Sequence, residues 1–171
     1  MKKFFSLALL GLCLLLANQS FAQLAVGKGD KFLNVGIGLG GYGGIVYGGG
    51  AIAFGASFEA GVAPNITVGG VASYRPYSGY GSYYSIGARG SYHFNELLNM
   101  ANDKVDLYGG LGLIYSGWTW NESYVGFRNS YGGVGFGGHI GGRYFFSDKL
   151  GGFAEVGFGV SPLQLGLTAK F

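Results

Sequence analysis

The last nine residues of the chain, Leu163 to Phe171 (LQLGLTAKF), alternate between apolar positions and polar or glycine positions. A repeat of two is the period of a β-strand with one apolar and one polar face. An apolar strand at the open edge of a sheet would pair with other chains, and a closed barrel removes that edge. We therefore expect this segment to close a β-barrel by pairing with the first strand.

Seven earlier segments show the same alternation, so the chain contains eight predicted strands. Their predicted bounds are 31–39, 51–62, 66–74, 83–94, 105–115, 132–146, 150–160 and 163–171. An even number of strands is typical of a single-chain barrel whose two ends lie on one side. The pattern predicts an all-β fold, an eight-stranded antiparallel up-and-down transmembrane β-barrel.

The connections between these segments alternate in length along much of the chain. Those at 40–50, 75–82 and 117–131 are long, whereas those at 63–65 and 147–149 are short. Long outer loops and short periplasmic turns are typical of transmembrane barrels. We therefore expect both termini in the periplasm.

Aromatic side chains on the predicted outward face gather near the two ends of the strands. Near the short turns they are Phe58, Tyr92, Phe94, Tyr144, Phe146 and Phe171, and near the long loops they are Tyr74, Tyr84, Tyr115 and Phe158. Such rings favour the headgroup region of a bilayer, where an apolar body meets water. Two belts of this kind predict that the outward face contacts lipid.

The first 22 residues have the layout of a secretory signal peptide: two lysines, an apolar run, and small residues before a cleavage point after Ala22. The chain is thus divided into a signal peptide, 1–22, and a mature barrel domain, 23–171. The only cysteine, Cys13, lies in the signal, so no disulfide, thiolate ligand or thiolate nucleophile is expected in the mature chain. The mature chain is also almost neutral, which argues against a nucleic-acid partner.

The signal peptide, the eight alternating segments and the terminal phenylalanine resemble the small outer-membrane barrels of the OmpA/OmpX type. Glycine-rich phrases such as 150–159 (LGGFAEVGFG) are similar to those of the broad outer-membrane β-barrel domain family. The resemblance implies a protein of the Gram-negative cell envelope that contacts outer-membrane lipid, and we expect a monomer. It also implies that Phe171 belongs to the signal that the barrel-assembly machinery reads. The family contains channels, adhesins, enzymes and structural barrels, so activity stays open.

Six charged side chains share the predicted inward face: Glu59, Arg89, Asp106, Arg143, Glu155 and Lys170. Charges facing lipid near the bilayer midplane are strongly destabilising, so this sorting supports the barrel. The charges could line an ion path, or they could form a polar plug of paired carboxylates and guanidinium groups. We favour the plug because an eight-stranded barrel is just wide enough for side chains to fill it.

His93 and His139 are the only histidines, and both are predicted to face inward on strands that are not neighbours. No further ligands are apparent at the same depth, so we expect hydrogen-bonded interior histidines and no metal site. The sequence also lacks a His-x-Ser arrangement on one strand that would suit nucleophilic catalysis. We predict no catalytic residues and no cofactor.

The connection from Gly117 to Tyr131 is the longest predicted outer loop, and it carries four candidate contact residues. They are Trp118, Trp120, Tyr124 and Arg128. Aromatic residues and arginine are enriched at binding surfaces, but the same side chains could equally anchor the hairpin in the headgroup layer. We predict a non-enzymatic integral outer-membrane barrel, structural or surface-interacting through its loops, with an unknown ligand. The alternatives are a narrow passive channel and, less favoured, a lipid-modifying enzyme.

Overall fold

The computed structural model describes residues 26–40, 52–78, 81–120 and 130–171, which contain eight β-strands in one closed barrel. The strands are β1 Lys31–Leu39, β2 Ala53–Ala63, β3 Ile66–Tyr77, β4 Gly81–His93, β5 Val105–Trp120, β6 Ser130–Phe145, β7 Leu150–Phe158 and β8 Leu163–Lys170. Each strand pairs antiparallel with the next, and β8 pairs antiparallel with β1. The predicted all-β, eight-stranded antiparallel barrel is confirmed. The predicted signal peptide, 1–22, lies outside the described residues.

The two ends of the barrel differ in their connections. One end, called here the turn end, holds the start of β1, the end of β8 and the connections 64–65, 94–104 and 146–149. The other end, called the loop end, holds the connections 40–52, 78–80, 121–129 and 159–162. In the part of the chain that the structure describes, no helix is long and apolar enough to cross a membrane.

The faces of the strands are sorted by polarity, as period two predicts. Large apolar side chains cover the outer wall, and Leu111, Val134 and Phe136 are examples that stay largely exposed. Polar and charged side chains turn inward and are buried. This distribution is the reverse of that in a soluble protein, and it suits a barrel whose outer wall faces an apolar medium.

At the loop end, β3, β4, β5 and β6 run further than their alternation indicated, whereas β2 and β7 are each two residues shorter there than predicted. β5 ends at Trp120 instead of residue 115, and β6 begins at Ser130 instead of residue 132. The predicted loop from Gly117 to Tyr131 was therefore wrong in its bounds, because Gly117 pairs with Gly132 and Trp118 pairs with Tyr131 in the β5–β6 ladder. Past residue 115 the outward positions of β5 no longer carry large apolar side chains, so periodicity could not show that the strand continues.

Apolar side chains close the interior at the turn end. Val26, Phe32 and Phe145 are buried together there. The backbone N–H of Asn65, in the β2–β3 turn, donates to the Val26 carbonyl at 2.9 Å. This bond holds the stretch before β1 under the barrel. The polar interior is thus separated from this end by a layer of apolar side chains.

Candidate functional site

Arg89 on β4 lies at the centre of the interior and bridges two carboxylates. Its Nε donates to Glu59 Oε1 at 2.8 Å, and its Nη2 donates to the same oxygen. Its Nη1 donates to Glu155 at 2.9 Å (Oε1) and 3.0 Å (Oε2). Glu59 is on β2 and Glu155 on β7, which are not neighbouring strands, so the guanidinium crosses the lumen. The exposed fractions of Arg89, Glu59 and Glu155 are 5%, 0% and 4%.

The remaining lone pairs of these two carboxylates are occupied by uncharged donors. Glu59 Oε2 accepts from the Thr67 and Ser91 hydroxyls, both at 2.7 Å. Glu155 accepts from the Tyr108 hydroxyl at 3.1 Å and from the Gln164 amide at 3.2 Å. A buried carboxylate is tolerated only when its charge is paired and its oxygens are hydrogen-bonded, and both conditions are met here.

A second ion pair lies towards the turn end. Arg143 Nη1 donates to Asp106 Oδ2 at 2.6 Å, and Arg143 Nε donates to Asn34 Oδ1 at 3.1 Å. The Arg143 guanidinium carbon lies 4.0 Å from the Tyr108 ring centroid and 4.6 Å from that of Phe32. This places the cation between two aromatic faces, an arrangement that favours charge within a desolvated interior.

The two ion pairs belong to one connected network. Arg143 Nη2 lies 3.7 Å from Glu59 Oε1. His93 contacts Asp106 Oδ1 through Nδ1 at 2.7 Å and the Thr67 hydroxyl through Nε2 at 3.1 Å. Loss of any one charge in such a network leaves its partner buried and uncompensated.

Lys170 lies apart from the other five predicted interior charges. It sits at the turn end, where its Nζ is 3.4 Å from Asp30 Oδ2, and both side chains are partly exposed. The structure therefore brings Glu59, Arg89 and Glu155 together, joins them to Asp106 and Arg143, and leaves Lys170 in a separate surface pair.

The interior leaves little free space around the central ion pair. A cavity of about 20 Å³ lies beside Arg89 and is bordered by Val71, Ile114, His139 and Ser161 among others. That space suits about one water molecule. The side chains thus fill the lumen at this level.

Ser91 and His139 form one of two hydroxyl–imidazole pairs among the described residues; the other is Thr67 with His93, whose Nδ1 contacts Asp106. Ser91 Oγ lies 2.8 Å from His139 Nε2. Both side chains are buried in the lumen, and the Ser91 hydroxyl also bonds to Glu59. Within the described residues, no group of three or more His, Cys, Asp and Glu side chains is arranged to hold a metal ion.

Several uncharged members of the network were not among the predicted site residues. The uncharged members are Asn34, Ser57, Thr67, Tyr108 and Gln164. The alternation that placed the charged residues on the inward face places these residues there as well, so the sequence could have indicated them. Arg75 was missed because β3 was predicted to end at Tyr74, whereas the strand continues to Tyr77 and turns the Arg75 side chain inward.

A cluster of aromatic rings occupies the inward face of the strands at the loop end. The ring centroid of Trp118 lies 5.0 Å from that of Tyr77, 5.4 Å from that of Tyr83 and 5.5 Å from that of Trp120. We call these four residues the aromatic cluster. Trp118 and Trp120 therefore lie on β5, not in a loop, while Tyr124 and Arg128 of the predicted surface lie outside the described residues.

Phe171 follows β8 at the turn end and has an exposed side chain. Its amide donates to the Lys31 carbonyl at 2.9 Å, and its carbonyl accepts from the Lys31 amide at 3.2 Å. These bonds extend the β1–β8 ladder to the end of the chain.

Comparison with solved structures finds this fold in small outer-membrane barrels. The N-terminal β-barrel domain of Pseudomonas aeruginosa OprF has a TM-score of 0.57 and 14% identity over 87% of this chain and 98% of that one. Neisserial surface protein A has a TM-score of 0.55 and 14% identity over 83% and 94%. The Yersinia pestis outer-membrane protein Ail has a TM-score of 0.53 and 17% identity over 84% and 100%.

No protein-family model matches the chain, and no curated protein does. At these identities the likeness is one of fold. It confirms the resemblance to small eight-stranded outer-membrane β-barrels on which the sequence interpretation was based.

Proposed function

We propose that the protein is a non-enzymatic integral outer-membrane barrel with a closed interior and an interaction surface at its loop end. The observation that carries this proposal is the Arg89 guanidinium bridging Glu59 and Glu155 across the lumen. The apolar outer wall and the fold shared with outer-membrane barrels support the location in lipid.

A passive channel is the weaker alternative. Ions need a continuous path of water, and here the lumen is crossed by the ion pairs of Arg89 and Arg143. The layer of Val26, Phe32 and Phe145 covers the same interior from the turn end. A plug of this kind stabilises the barrel from inside and leaves no conducting route past the described side chains.

A lipid-modifying enzyme is also disfavoured. The buried Ser91 and His139 pair would have to meet an acyl ester inside a lumen that side chains already fill. The Ser91 hydroxyl is moreover engaged by Glu59, which orients it towards the network. The pair is better explained as part of the plug.

The loop end supports a binding role over an anchoring role for the tryptophans. A tryptophan that anchors a barrel in the headgroup layer must lie on the outward face. Trp118 instead contacts Tyr77, Tyr83 and Trp120 on the inward face of strands that rise above the polar network. Ail, which shares the fold, is named an attachment invasion locus protein, and attachment is a role that a rigid barrel with exposed loops would suit.

Assembly in the membrane tests the proposed location. The full chain, expressed in a Gram-negative host, should fractionate with the outer membrane and migrate differently in detergent gels before and after heating. Recovery as a soluble periplasmic monomer without detergent would contradict the proposal.

A matched pair of variants extends this test to the barrel-assembly machinery, the partner that the terminal phenylalanine implies. Deletion of Phe171 should slow the appearance of the heat-shifted band far more than Lys170→Ala, since Lys170 contributes only a partly exposed ion pair. Equal rates for the two variants would remove Phe171 from the assembly signal.

A further inference from the structure

Arg75 is a buried cation that the polar network does not neutralise. Its exposed fraction is 3%, and no carboxylate of the described residues forms an ion pair with it. Its Nη2 donates to the Ser161 hydroxyl at 3.0 Å, and its Nε has no hydrogen-bond partner. Arg89 and Arg143 each have carboxylate partners, so Arg75 is the exception. A buried guanidinium without a counter-charge is costly, and an anion would offset that cost.

Small side chains make room for Arg75 to reach across the loop end. Ala53 on β2 is buried and pairs with Gly38 on β1, and Gly38 lies against Ser161. A Cβ at Gly38 would lie 2.3 Å from Ser161 Oγ, so a larger residue there would displace the hydroxyl. The guanidinium and the Ser161 hydroxyl thus present several donors in one place, which is the geometry that binds an oxyanion.

The aromatic cluster begins directly beside this guanidinium. Tyr83 pairs with Arg75 in the β3–β4 ladder, and Trp118 pairs with Tyr83 in the β4–β5 ladder. Tyr77 lies two residues beyond Arg75 on the same face, and its ring packs against Trp118. Side chains opposite each other in a ladder are within contact distance, so the cation and the rings form one continuous surface.

The orientation of the aromatic rings restricts what they can bind. Trp118 and Trp120 are stacked with an interplanar angle of 18°, and the four aromatic residues are half-buried. An inorganic anion would use only the arginine, and a neutral sugar would use only the rings. A phospholipid in the bilayer would meet the outward face, which these rings do not share.

We propose that Arg75, Ser161 and the aromatic cluster form a binding site for an acidic saccharide. The anionic group would pair with the Arg75 guanidinium and accept from the Ser161 hydroxyl. The C–H face of the sugar ring would stack on the electron-rich faces of the tyrosine and tryptophan rings. The inference rests on the proposed function, since it requires the loop end to face the cell surface.

Intrinsic fluorescence tests this directly, because the two tryptophans of the chain both lie in the cluster. The full chain, folded in detergent micelles, would be titrated with a glucuronic-acid-containing tetrasaccharide, a neutral glucose tetrasaccharide and inorganic sulfate. The acidic tetrasaccharide should change the emission saturably, with an affinity at least about tenfold above that of either other probe, since a charged hydrogen bond is worth that much. Equal affinities for the acidic and neutral tetrasaccharides would overturn the proposal.

Variants separate binding from folding. Arg75→Gln should weaken binding of the acidic tetrasaccharide by about tenfold or more, whereas Lys149→Gln, which removes an exposed cation at the turn end, should not. The unfolding midpoint of the ligand-free Arg75→Gln variant should not fall, because the substitution removes a buried charge that has no carboxylate partner and therefore breaks no ion pair. Tyr77→Leu keeps both tryptophans and should weaken binding severalfold with an intact heat-shifted band. Unchanged affinity in both Arg75→Gln and Tyr77→Leu would overturn the proposal.

A carboxylate from the same chain is the competing occupant. By sequence, the connections at the loop end contain one acidic residue, Glu122. If wild-type protein does not bind the acidic tetrasaccharide and Glu122→Gln does, the proposal of a saccharide site is overturned. Absence of binding by a protein that fractionates correctly with the outer membrane would refute this inference alone, and the proposed function would stand.

Discussion

Replacing Arg89 with methionine should lower the free energy of unfolding of the barrel by about 3–5 kcal/mol, the usual effect of breaking a buried ion pair from one side. Methionine fills similar space but leaves Glu59 and Glu155 buried without their shared cation. Urea unfolding in lipid vesicles, followed by the heat-shifted band, measures the change. It is expected to be the largest effect of any single charge removal, because Arg89 donates hydrogen bonds to two carboxylates and Arg143 to one.

Two controls define this result. Lys104→Met removes an exposed cation at the turn end and should leave the unfolding curve unchanged. The triple variant Arg89→Met, Glu59→Gln, Glu155→Gln should recover part of the loss, since no buried charge is then left unpaired at the centre. If Arg89→Met behaves like Lys104→Met, the network does not stabilise the barrel.

Substituting alanine for Gly69 should disrupt the barrel, while the same substitution at the neighbouring Gly70 should be tolerated. A Cβ at Gly69 would lie 1.8 Å from the Phe58 carbonyl oxygen and 2.6 Å from Glu59 Cα, both of which are backbone atoms of β2. At Gly70 the nearest atom would be the Gly87 carbonyl oxygen at 3.6 Å, an ordinary contact. We expect Gly69→Ala to cost about 3 kcal/mol or more, the upper range of overpacking, because the backbone cannot rotate away.

The fraction of heat-shifted band after refolding compares the two variants under identical conditions. Gly69 lies opposite Glu59 in the β2–β3 ladder, so the close approach of the strands at this point also positions the carboxylate for Arg89. Equal folding of the two alanine variants would show that the strands can separate here without loss.

The strands and their faces could be predicted because a barrel wall has two different surroundings. A side chain that faces an apolar medium and one that faces a polar interior obey opposite preferences, so period two sorts them. The bounds of β1 were predicted to the residue, and the five charges of the network were placed on the inward face. A charged side chain is tolerated on the inward face of the barrel wall but not on the face towards lipid, so charged residues show most clearly which positions face inward.

The partners of those charges could not be predicted. Period two gives the face of a residue but not its depth in the barrel, which depends on strand register and tilt. Arg89 reaches Glu155, 66 residues along the chain, only because the closed barrel brings β4 and β7 to opposite walls of one lumen. A local sequence pattern cannot show which residues from distant strands the closed barrel brings into contact.

The loop end was the least predictable part for a related reason. Where the strands rise above the polar network, the preferences that sort the two faces change. Trp118 and Trp120 turn inward there, so an alternation based on outward apolar residues ends too early. The same error placed Arg75 in a connection instead of on β3.

Planar-bilayer recording of the purified barrel tests the closed interior most directly. The Arg89 bridge between Glu59 and Glu155 crosses the lumen, Arg143 and Asp106 form a second ion pair towards the turn end, and the cavity beside Arg89 is only about 20 Å³. Wild-type protein should therefore show little or no steady conductance at moderate voltage and neutral pH. Stable, large single-channel currents in the wild type would contradict the closed interior and identify the protein as a channel.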